Sequence, residues 1–517
     1  MEGIGRITGR NVGELRFRVG PDEEVHLGEI LITECQGKPF YVRVIDLEYG
    51  ADDGDQRWGE RTAGNLLASP GHDDLVLFDR DRRLYRTVVA SPLGYLKDGR
   101  FRKPKTLPDH FAPVRAPGPD DFAFLAPAPS DLEMGALRSG DETLEDVIGL
   151  DPHALTQHVG IFATTGMGKS NLLKVLAGSC LESGKVGLMV LDPHGEYADG
   201  GGGVHPDGTA HRGLLHHHRQ DRLVVYTSRP ILGFEGRIHD LAVAATEIEI
   251  ADFQSVFFVT EAQSEALWAA WQEWKEDWLI ELGRRQPEAL FVHFNEKFHR
   301  STWNVLQRRA AGILQQSVIH HDGTVRSTTD EILHQLQEGR TVLVDTSALE
   351  PNEELLISAT LARKLLRTYQ AAYRDPERFR AIMPACVVLE EAQRVLNQKA
   401  GSNNVFAQIA REGRKFRVGL GAVTQQPRLI SDELLSQFNT LFLLGLADPT
   451  DRERVRGGSR QDLSQLVKEI QMLEPGEALL TTPGAPFALP LKVHLYEDRV
   501  QDAVTPEPTP RVDASFY

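Results

Sequence analysis

Hydrophobic and polar positions alternate along the first hundred residues with the two-residue period of a β-strand. The alternation is clearest from residue 14 to residue 19. Further alternating or apolar runs follow at 25–32, 40–47, 74–78 and 84–90. Turn-forming glycines and prolines separate the runs, and no helical period interrupts them. Short strands at this spacing predict a small closed β-barrel over residues 1–102, and this segment contains no enzyme motif.

The pattern changes after the barrel segment. Seven prolines between residues 103 and 129 oppose a regular helix or a central strand, so we predict an extended linker there. Strand-like and helical segments then alternate to about residue 500, which predicts an α/β domain in two parts, 130–248 and 340–500. Residues 501–517 contain three prolines and predict an extended C-terminal tail.

Between the two parts of the α/β domain, residues 249–339 follow a helical period and predict a helical insertion. Four of the six tryptophans are spaced three or four residues apart in this insertion, on one face of a predicted helix. They are Trp268, Trp271, Trp274 and Trp278. Such a stripe can pack a helical subdomain or offer a platform for stacking bases, and packing is the simpler interpretation.

Composition narrows the class of protein. Hydrophobic residues make up 41% and charged residues 25% of the chain, and no run approaches the roughly 18 apolar residues of a membrane span. Three widely separated cysteines favour a reduced cytoplasm. The net charge of −17 argues against an outer surface that binds DNA, but not against a ring with a small basic lining. Six histidines between residues 194 and 218 lack the spacing of a metal motif, so we expect a solvated loop and helix start there.

The strongest chemical signal is the segment 160–170, where an apolar run leads into Ala-Thr-Thr-Gly-Met-Gly-Lys-Ser and a helix follows. Glycines let a loop wrap phosphates with its backbone N–H groups at a helix N-terminus. Lys169 would reach the β- and γ-phosphates, and Ser170 would ligate Mg²⁺. Ala163 replaces the usual first glycine. The predicted nucleotide-binding residues of this P-loop are Thr164, Thr165, Gly166, Met167, Gly168, Lys169, Ser170 and Asn171.

A second strand-like run, 186–191, ends in Asp-Pro-His-Gly-Glu-Tyr. Strand ends are where an α/β domain presents its functional side chains. We expect this strand beside the P-loop strand, with Asp192, His194 and Glu196 near the nucleotide.

The apolar run 385–389 ends in two carboxylates, Glu390 and Glu391. A P-loop ATPase needs one carboxylate for the shell of its Mg²⁺ and a second to orient and deprotonate the attacking water. We assign the first role to Glu390 and the second to Glu391. The first position is usually Asp, and the longer Glu390 still permits a contact through water.

A further apolar run, 418–423, ends in polar side chains. Gln425 and Gln426 can sense the γ-phosphate or position the water. Just before this run Arg411 and Arg414 lie in a basic cluster, which is either a solvated face or the source of an arginine finger for a neighbouring subunit. We favour Arg414 as the finger, because Gly413 would permit close backbone approach to that neighbour.

These motifs, in this order, resemble the HerA family of hexameric P-loop DNA translocases and helicases of the HerA/FtsK superfamily. The motifs are 163–171, 192–197, 389–393, 411–415 and 424–428. The resemblance implies an α/β fold, with a RecA-like P-loop ATPase core, a helical insertion and a preceding small N-terminal β-barrel like the HAS barrel. It also implies ATP and Mg²⁺ as cofactors, and a homohexamer that threads duplex DNA through its central pore.

The resemblance further implies a partner, either a NurA-like nuclease or a sirtuin- or nuclease-type effector, that docks on the barrel. The process would be DNA end processing and repair or phage defence, in the cytoplasm and without a membrane. The alternatives are a regulatory ring ATPase that assembles or activates an effector without productive DNA transport, and an ATPase with no nucleic-acid role. A pore loop over residues 397–408 is a guess from position alone.

Overall fold

The computed structural model describes residues 3–51, 57–68, 84–128, 131–203, 210–231, 234, 237–321, 323, 325–397 and 404–500. The strand predicted at 74–78 and the tail predicted at 501–517 lie outside the described residues, as do residues 398–403 of the suggested pore loop. The described residues form two compact units. The first comprises those within 1–128, 135–149 and 441–493, and the second those within 129–134, 150–440 and 494–517.

The elements are numbered along the chain. The strands are β1 (Gly5–Arg10), β2 (Leu15–Val19), β3 (Ile30–Cys35), β4 (Lys38–Ala51), β5 (Leu84–Lys97), β6 (Arg100–Arg102), β7 (Pro113–Val114), β8 (Leu132–Ser139), β9 (Glu142–Leu150), β10 (Val159–Phe162), β11 (Gly187–Asp192), β12 (Leu223–Thr227), β13 (Ile238–Asp240), β14 (Val243–Ala244), β15 (Ile319–His320), β16 (Thr341–Asp345), β17 (Ala385–Leu389), β18 (Val418–Thr424), β19 (Thr440–Leu444), β20 (Glu477–Thr481) and β21 (Leu489–Val493). The α-helices are α1 (Trp58–Ala68), α2 (Lys169–Ser183), α3 (Ile250–Val256), α4 (Glu261–Trp274), α5 (Trp278–Arg284), α6 (Pro287–His293), α7 (Arg300–Leu314), α8 (Thr329–Gln337), α9 (Pro351–Tyr373), α10 (Pro376–Ala381), α11 (Val405–Glu412), α12 (Asp432–Leu435), α13 (Pro449–Gly458), α14 (Val467–Met472) and α15 (Tyr496–Arg499).

The N-terminal strands form an antiparallel sheet that nearly closes on itself. Its order is β3-β4-β5-β2-β1-β7, with β6 paired to β5. A bridge between Ile32 and Arg115 joins the two ends, since each backbone N–H donates to the other residue's carbonyl at 2.9 Å. Inward-facing apolar side chains such as Phe17 and Phe40 are fully buried. The predicted N-terminal barrel is confirmed in this nearly closed form.

Strand β7 lies inside the proline-rich segment predicted as a linker. It pairs with β1 through two residues only, Pro113 and Val114. A proline is tolerated there because β7 is short and stands at the end of the sheet. The boundaries assigned to the domains stay a prediction.

The same compact unit contains residues 441–493, where β19, β20 and β21 pair antiparallel and β21 continues to β8. A buried ion cluster lies within this unit. Oε1 of Glu469 accepts from Nη2 of Arg43 at 2.7 Å and from Nη2 of Arg138 at 2.9 Å. Burial lowers the pKa of Arg43, and the Glu469 carboxylate opposes that shift. One buried carboxylate is therefore a shared counter-charge for two buried guanidinium groups, and Glu477 lies 3.8 Å from Arg138 as a second one.

The second unit is built on a parallel sheet of seven strands in the order β13-β12-β16-β11-β17-β18-β10. Its central strands are buried along their whole length, as expected for a parallel sheet that is covered on both faces. The strand that begins the Asp-Pro-His-Gly-Glu-Tyr motif, β11, does not lie beside the P-loop strand β10. That prediction is wrong, because β17 and β18 lie between them.

The helical insertion comprises α3 to α8, with a short two-stranded sheet of β14 and β15. The prediction that its four tryptophans share one helix face is wrong. Lys275 has a positive φ of 51°, which ends α4 at Trp274 and leaves Trp278 to begin α5. Trp278 is buried and donates from Nε1 to the Ile248 carbonyl at 2.9 Å, whereas Trp268 is half exposed.

Among the described residues, no helix combines the length and the apolar composition that crossing a membrane requires.

Candidate functional site

The P-loop lies between β10 and α2. Gly166 and Gly168 have φ values of 84° and 93°, in the left-handed region that glycine adopts without strain. An ideal Cβ on Gly166 would have no heavy atom within 4 Å, so the loop there is open to a ligand. The loop ends at the N-terminus of α2, where unpaired N–H groups and the helix dipole favour phosphate. The segment therefore has the geometry of a phosphate cradle.

A cavity of about 640 Å³ opens over this loop. Eleven of the predicted site residues line it: Thr164, Thr165, Gly166, Gly168, Lys169, Ser170, Asn171, His194, Glu196, Glu391 and Gln425. Met167, Asp192, Glu390, Gln426, Arg411 and Arg414 are outside this lining.

The two carboxylates after β17 converge on the P-loop lysine. Nζ of Lys169 lies 3.8 Å from Oε1 of Glu390 and 3.9 Å from Oε1 of Glu391. The Glu390 side chain is fully buried, and its Oε1 also accepts a short hydrogen bond from the hydroxyl of Tyr197. Burial raises the pKa of Glu390, while Lys169 and Tyr197 oppose that shift. A buried carboxylate of this kind needs positive charge nearby.

The oxygen atoms at the site decide whether these residues could bind Mg²⁺. Oε2 of Glu390 is buried and has no hydrogen-bond partner among the described residues. Across the loop, the Ser170 hydroxyl donates to Oε1 of Glu196 at 3.1 Å. A carboxylate oxygen without a hydrogen bond, a hydroxyl and a second carboxylate are the hard oxygen donors that Mg²⁺ prefers. The donor set fits the ion.

Asp192 organises the loop that follows β11. Its Oδ1 accepts from the backbone N–H groups of His194 at 3.1 Å and Gly195 at 2.7 Å, and its Oδ2 accepts from that of Tyr197 at 3.0 Å. Burial raises the pKa of Asp192 to about 7, with backbone hydrogen bonds opposing. The side chain lies beneath the loop and holds it in the shape that brings Glu196 to Ser170.

At the end of β18, Gln425 reaches the P-loop. Its Oε1 accepts a short hydrogen bond from the hydroxyl of Thr165. Gln426 is exposed, and its backbone N–H donates to the hydroxyl of Thr424 at 3.0 Å. Of the two glutamines, Gln425 alone has its side chain at the cavity.

The two arginines differ in their surroundings. Arg411 forms a two-point ion pair with Glu433, at 2.7 and 3.3 Å. Arg414 is exposed and makes no ion pair with the described residues. The role predicted for Gly413, close approach to a neighbouring subunit, is wrong, since a Cβ on Gly413 would lie 2.4 Å from the Val418 carbonyl of the same chain. Glycine is needed there for packing within the chain.

Both arginines precede β18, whereas the cavity lies at the other end of that strand. A strand of seven residues spans about 20 Å at roughly 3.3 Å per residue. Neither arginine can therefore reach the nucleotide site of its own chain without a large rearrangement.

The segment after β21 forms a further wall of the cavity, which the sequence did not predict. The Asn171 side chain clasps this segment by donating to the His494 carbonyl at 2.8 Å and accepting from the Tyr496 N–H at 2.9 Å. Leu495 between them is partly exposed and lines the cavity.

Two other residues near the site were also missed. Asp345 ends β16 as Glu390 follows β17, so an apolar strand ending in a carboxylate was a usable signal. It pairs with Arg229 at 2.5 Å, and Arg229 also donates to the Gly195 carbonyl at 2.9 Å. Tyr197 had no spacing signal beyond its place in the motif.

The histidine-rich segment brings Glu182, His217 and His218 together at distances that could suit a metal. However, Nδ1 of His217 accepts from the Arg219 N–H at 3.1 Å, so Nε2 carries the proton of the neutral ring. That nitrogen faces Glu182 Oε1 at 3.6 Å and has no lone pair for an ion. The arrangement is that of a histidine whose Nε2–H faces a carboxylate.

The fold and the site define a P-loop ATPase. Residues 132–365 match the family model for the central domain of the helicase HerA. The DNA double-strand break repair helicase HerA of Pyrococcus furiosus is 27% identical over 397 residues, which is 68% of this chain and 67% of that one. Its namesake in Sulfurisphaera tokodaii is 22% identical over 459 residues, 85% of each chain.

Two solved structures are also similar to this chain. VirB4 of Thermoanaerobacter pseudethanolicus has a TM-score of 0.47 at 14% identity, covering 73% of this chain and 100% of that one. The plasmid coupling protein TrwB in complex with ADP and Mg²⁺ has a TM-score of 0.43 at 16% identity, covering 72% and 96%.

The chain is therefore similar to HerA helicases over most of its length, and its residues 132–365 match the central domain of that family. The predicted resemblance to the HerA family, the P-loop ATPase, and the α/β core preceded by an N-terminal barrel are confirmed.

Proposed function

We propose that this protein is an ATP-driven translocase of double-stranded DNA that works as a homohexamer. The observation that carries the proposal is the convergence of Lys169 with two carboxylates, Glu390 at 3.8 Å and Glu391 at 3.9 Å, over an open phosphate cradle. Positive charge for the phosphates and carboxylates for metal and water are the parts that ATP hydrolysis requires.

In this mechanism the P-loop amides and Lys169 bind the β- and γ-phosphates of ATP. Ser170 and, through water, Glu390 would hold Mg²⁺, which neutralises charge on the phosphate oxygens when bound. Glu391 orients a water molecule and takes its proton as the oxygen bonds to the γ-phosphorus and the bond to ADP breaks. Gln425, already hydrogen-bonded to Thr165, senses the γ-phosphate from the end of β18.

A ring would bring further positive charge to the γ-phosphate, where negative charge develops during phosphoryl transfer. An arginine finger contributes roughly 10³–10⁵ in rate to phosphoryl transfer. Arg414 is exposed, is not held in an ion pair with the described residues, and lies about 20 Å from its own cavity by the length of β18. It is therefore suited to act on the nucleotide of a neighbouring subunit. Arg411 is less suited, because Glu433 already neutralises it.

DNA would pass through the pore of the ring. The net charge of −17 makes the outer surface a poor ligand for phosphates, whereas a small basic lining can bind them while the exterior stays acidic. The two HerA relatives are both described as DNA double-strand break repair helicases, which favours a duplex substrate and a role in DNA end processing.

The test measures the ATPase rate with and without linear duplex DNA, together with the mass of the particle in solution. We expect a hexamer whose rate rises with DNA, and Lys169→Ala as an inactive control. Hydrolysis by a monomer would contradict the ring. A hexamer that ignores DNA would favour a regulatory ring ATPase that activates an effector.

We propose that the barrel docks the partner, either a NurA-like nuclease or a sirtuin- or nuclease-type effector in repair or phage defence. Tyr49 on β4 is 99% exposed, as expected for an aromatic side chain that a partner would cover. Tyr49→Ser should abolish co-purification with a nuclease or effector encoded next to this chain, while the ATPase rate stays unchanged. Val12→Ser, at another exposed apolar position of the barrel segment, is the matched control. Equal binding by both variants and the parent protein would contradict docking at Tyr49.

A further inference from the structure

Three polar side chains form a continuous hydrogen-bonded line across the ends of β17 and β18. The Thr424 hydroxyl donates to Oε1 of Gln393 at 2.6 Å, and Nε2 of Gln393 donates to Oε2 of Glu391 at 2.5 Å. Gln393 closes the motif 389–393, two residues beyond Glu391, but the sequence assigned no role to it.

The direction of the line is fixed by Thr424. Its side chain is fully buried, and its oxygen already accepts from the Gln426 backbone N–H at 3.0 Å. The single hydroxyl proton is therefore given to Gln393, and Oε1 of that amide must face Thr424. The NH₂ group of Gln393 is left to face Glu391, where it can only donate. A flipped amide would set an oxygen against a carboxylate.

The hydrogen bond from Gln393 constrains one oxygen of Glu391. Gln393 occupies Oε2, whereas Oε1 lies 3.9 Å from Nζ of Lys169 on the wall of the cavity. The Glu391 backbone has a positive φ of 50°, a conformation that costs energy for a residue with a side chain and is found at functional sites. The backbone is one constraint on this carboxylate, and the hydrogen bond from Gln393 is a second. Together they direct Oε1 towards the cavity.

The line also reaches the P-loop. The strand end that supplies Thr424 continues into Gln425, whose amide oxygen accepts from the hydroxyl of Thr165. A contact between Gln425 and the γ-phosphate would therefore affect the position of Glu391 through Thr424 and Gln393.

We propose that Gln393 is a positioning residue for Glu391 and that Thr424 sets the orientation of the Gln393 amide. Gln393 fixes Oε2 so that Oε1 is free to accept the proton of the attacking water. This inference rests on the proposed role of Glu391 as the base. It adds that Gln393 and Thr424 connect that role to the end of β18.

The test compares kcat with the Kd for ATP in the full-length protein. Gln393→Ala should lower kcat about 10- to 100-fold, the scale of a reacting group misplaced by about 1 Å. The Kd should change little, because Gln393 does not line the cavity. Thr424→Val keeps the shape, leaves the Gln393 amide free to flip, and should lower kcat in the same direction. Thr424→Ser restores the hydroxyl and should restore the rate.

A double variant separates positioning from general damage. If Gln393 acts through Glu391, then Gln393→Ala should cause no further loss in a Glu391→Gln background, measured by single-turnover hydrolysis. An equal loss in both backgrounds, or a loss confined to the Kd, would overturn the inference. If Gln393→Ala turned over normally while Glu391→Gln was slow, the inference about Gln393 would be overturned and the proposed base would stand. Normal turnover by Glu391→Gln would overturn the proposed base as well.

Discussion

The ion cluster around Glu469 gives a prediction whose size can be worked out from contacts. Glu469→Gln keeps the shape of the side chain and removes its charge. In the parent protein its Oε1 accepts from Arg43 at 2.7 Å and from Arg138 at 2.9 Å, and all three side chains are at most 6% exposed. Without the carboxylate, two buried guanidinium groups lose their main counter-charge.

Breaking a buried ion pair from one side costs about 3–5 kcal/mol, because the remaining charge stays buried. For a unit of this size each kcal/mol lowers the thermal midpoint by roughly 2–4 °C, so the expected fall is about 6–20 °C. Lys468→Gln is the matched control. It breaks the exposed contact of Lys468 with Asp46 at 2.5 Å, next to Glu469 on the same helix α14. An exposed pair of this kind contributes about 0.2–1 kcal/mol.

Scanning calorimetry of the two variants and the parent protein gives the comparison. A midpoint for Glu469→Gln no lower than that of Lys468→Gln would refute the reasoning. Deleting the barrel removes Arg43 and so leaves Glu469 without one of its partners. A large difference would mean that such a deletion also destabilises the remaining chain. Point changes on the barrel surface are therefore better tests of partner binding than truncation.

Three further predictions concern the ATPase unit. Glu391→Gln should bind ATP and hydrolyse it at least about 100-fold more slowly, as measured by phosphate release, because an amide cannot take the proton of the water; a near-normal rate would exclude it as the base. His158 is buried and accepts from the Leu420 N–H at 3.0 Å, and burial lowers its pKa to about 4. Its contribution to stability, about 3 kcal/mol, is complete above the usual pKa and is lost as the pH falls from about 6.5 towards 4. His158→Asn, which keeps an acceptor but does not titrate, should show a smaller drop in thermal midpoint between pH 7.5 and pH 5; an equal drop would contradict this. Arg414→Ala and Lys169→Ala proteins, each inactive alone, should recover ATPase activity when mixed, and confirmed mixed rings without recovery would rule out Arg414 as the finger.

The P-loop and the carboxylates after β17 were predictable because each lies in a contiguous run whose chemistry demands it. Lys169 and Glu391 were named from spacing alone, and both line the cavity. The order of the strands in the sheet was harder to predict from the sequence. Strand order depends on crossovers that leave no local pattern, which is why β11 was expected beside β10 when two strands separate them.

Contacts between distant segments were not predictable for a similar reason. Gln393 and Thr424 are 31 residues apart, and Asn171 is 323 residues from His494. Gln393, Thr424 and Asn171 each lie in a motif, but the contacts that define these roles form only after folding. The break after Trp274 was hidden as well, because the left-handed backbone falls on Lys275, a residue type that normally continues a helix.

The most direct test of the central claim is movement along DNA. A third strand bound at the end of a linear duplex is displaced by a motor that travels along that duplex, and its release can be followed by fluorescence. We predict release that requires ATP and is absent with Lys169→Ala or Glu391→Gln. ATP hydrolysis by a hexamer in the presence of this DNA, without release of the third strand, would contradict the claim that the protein is a translocase.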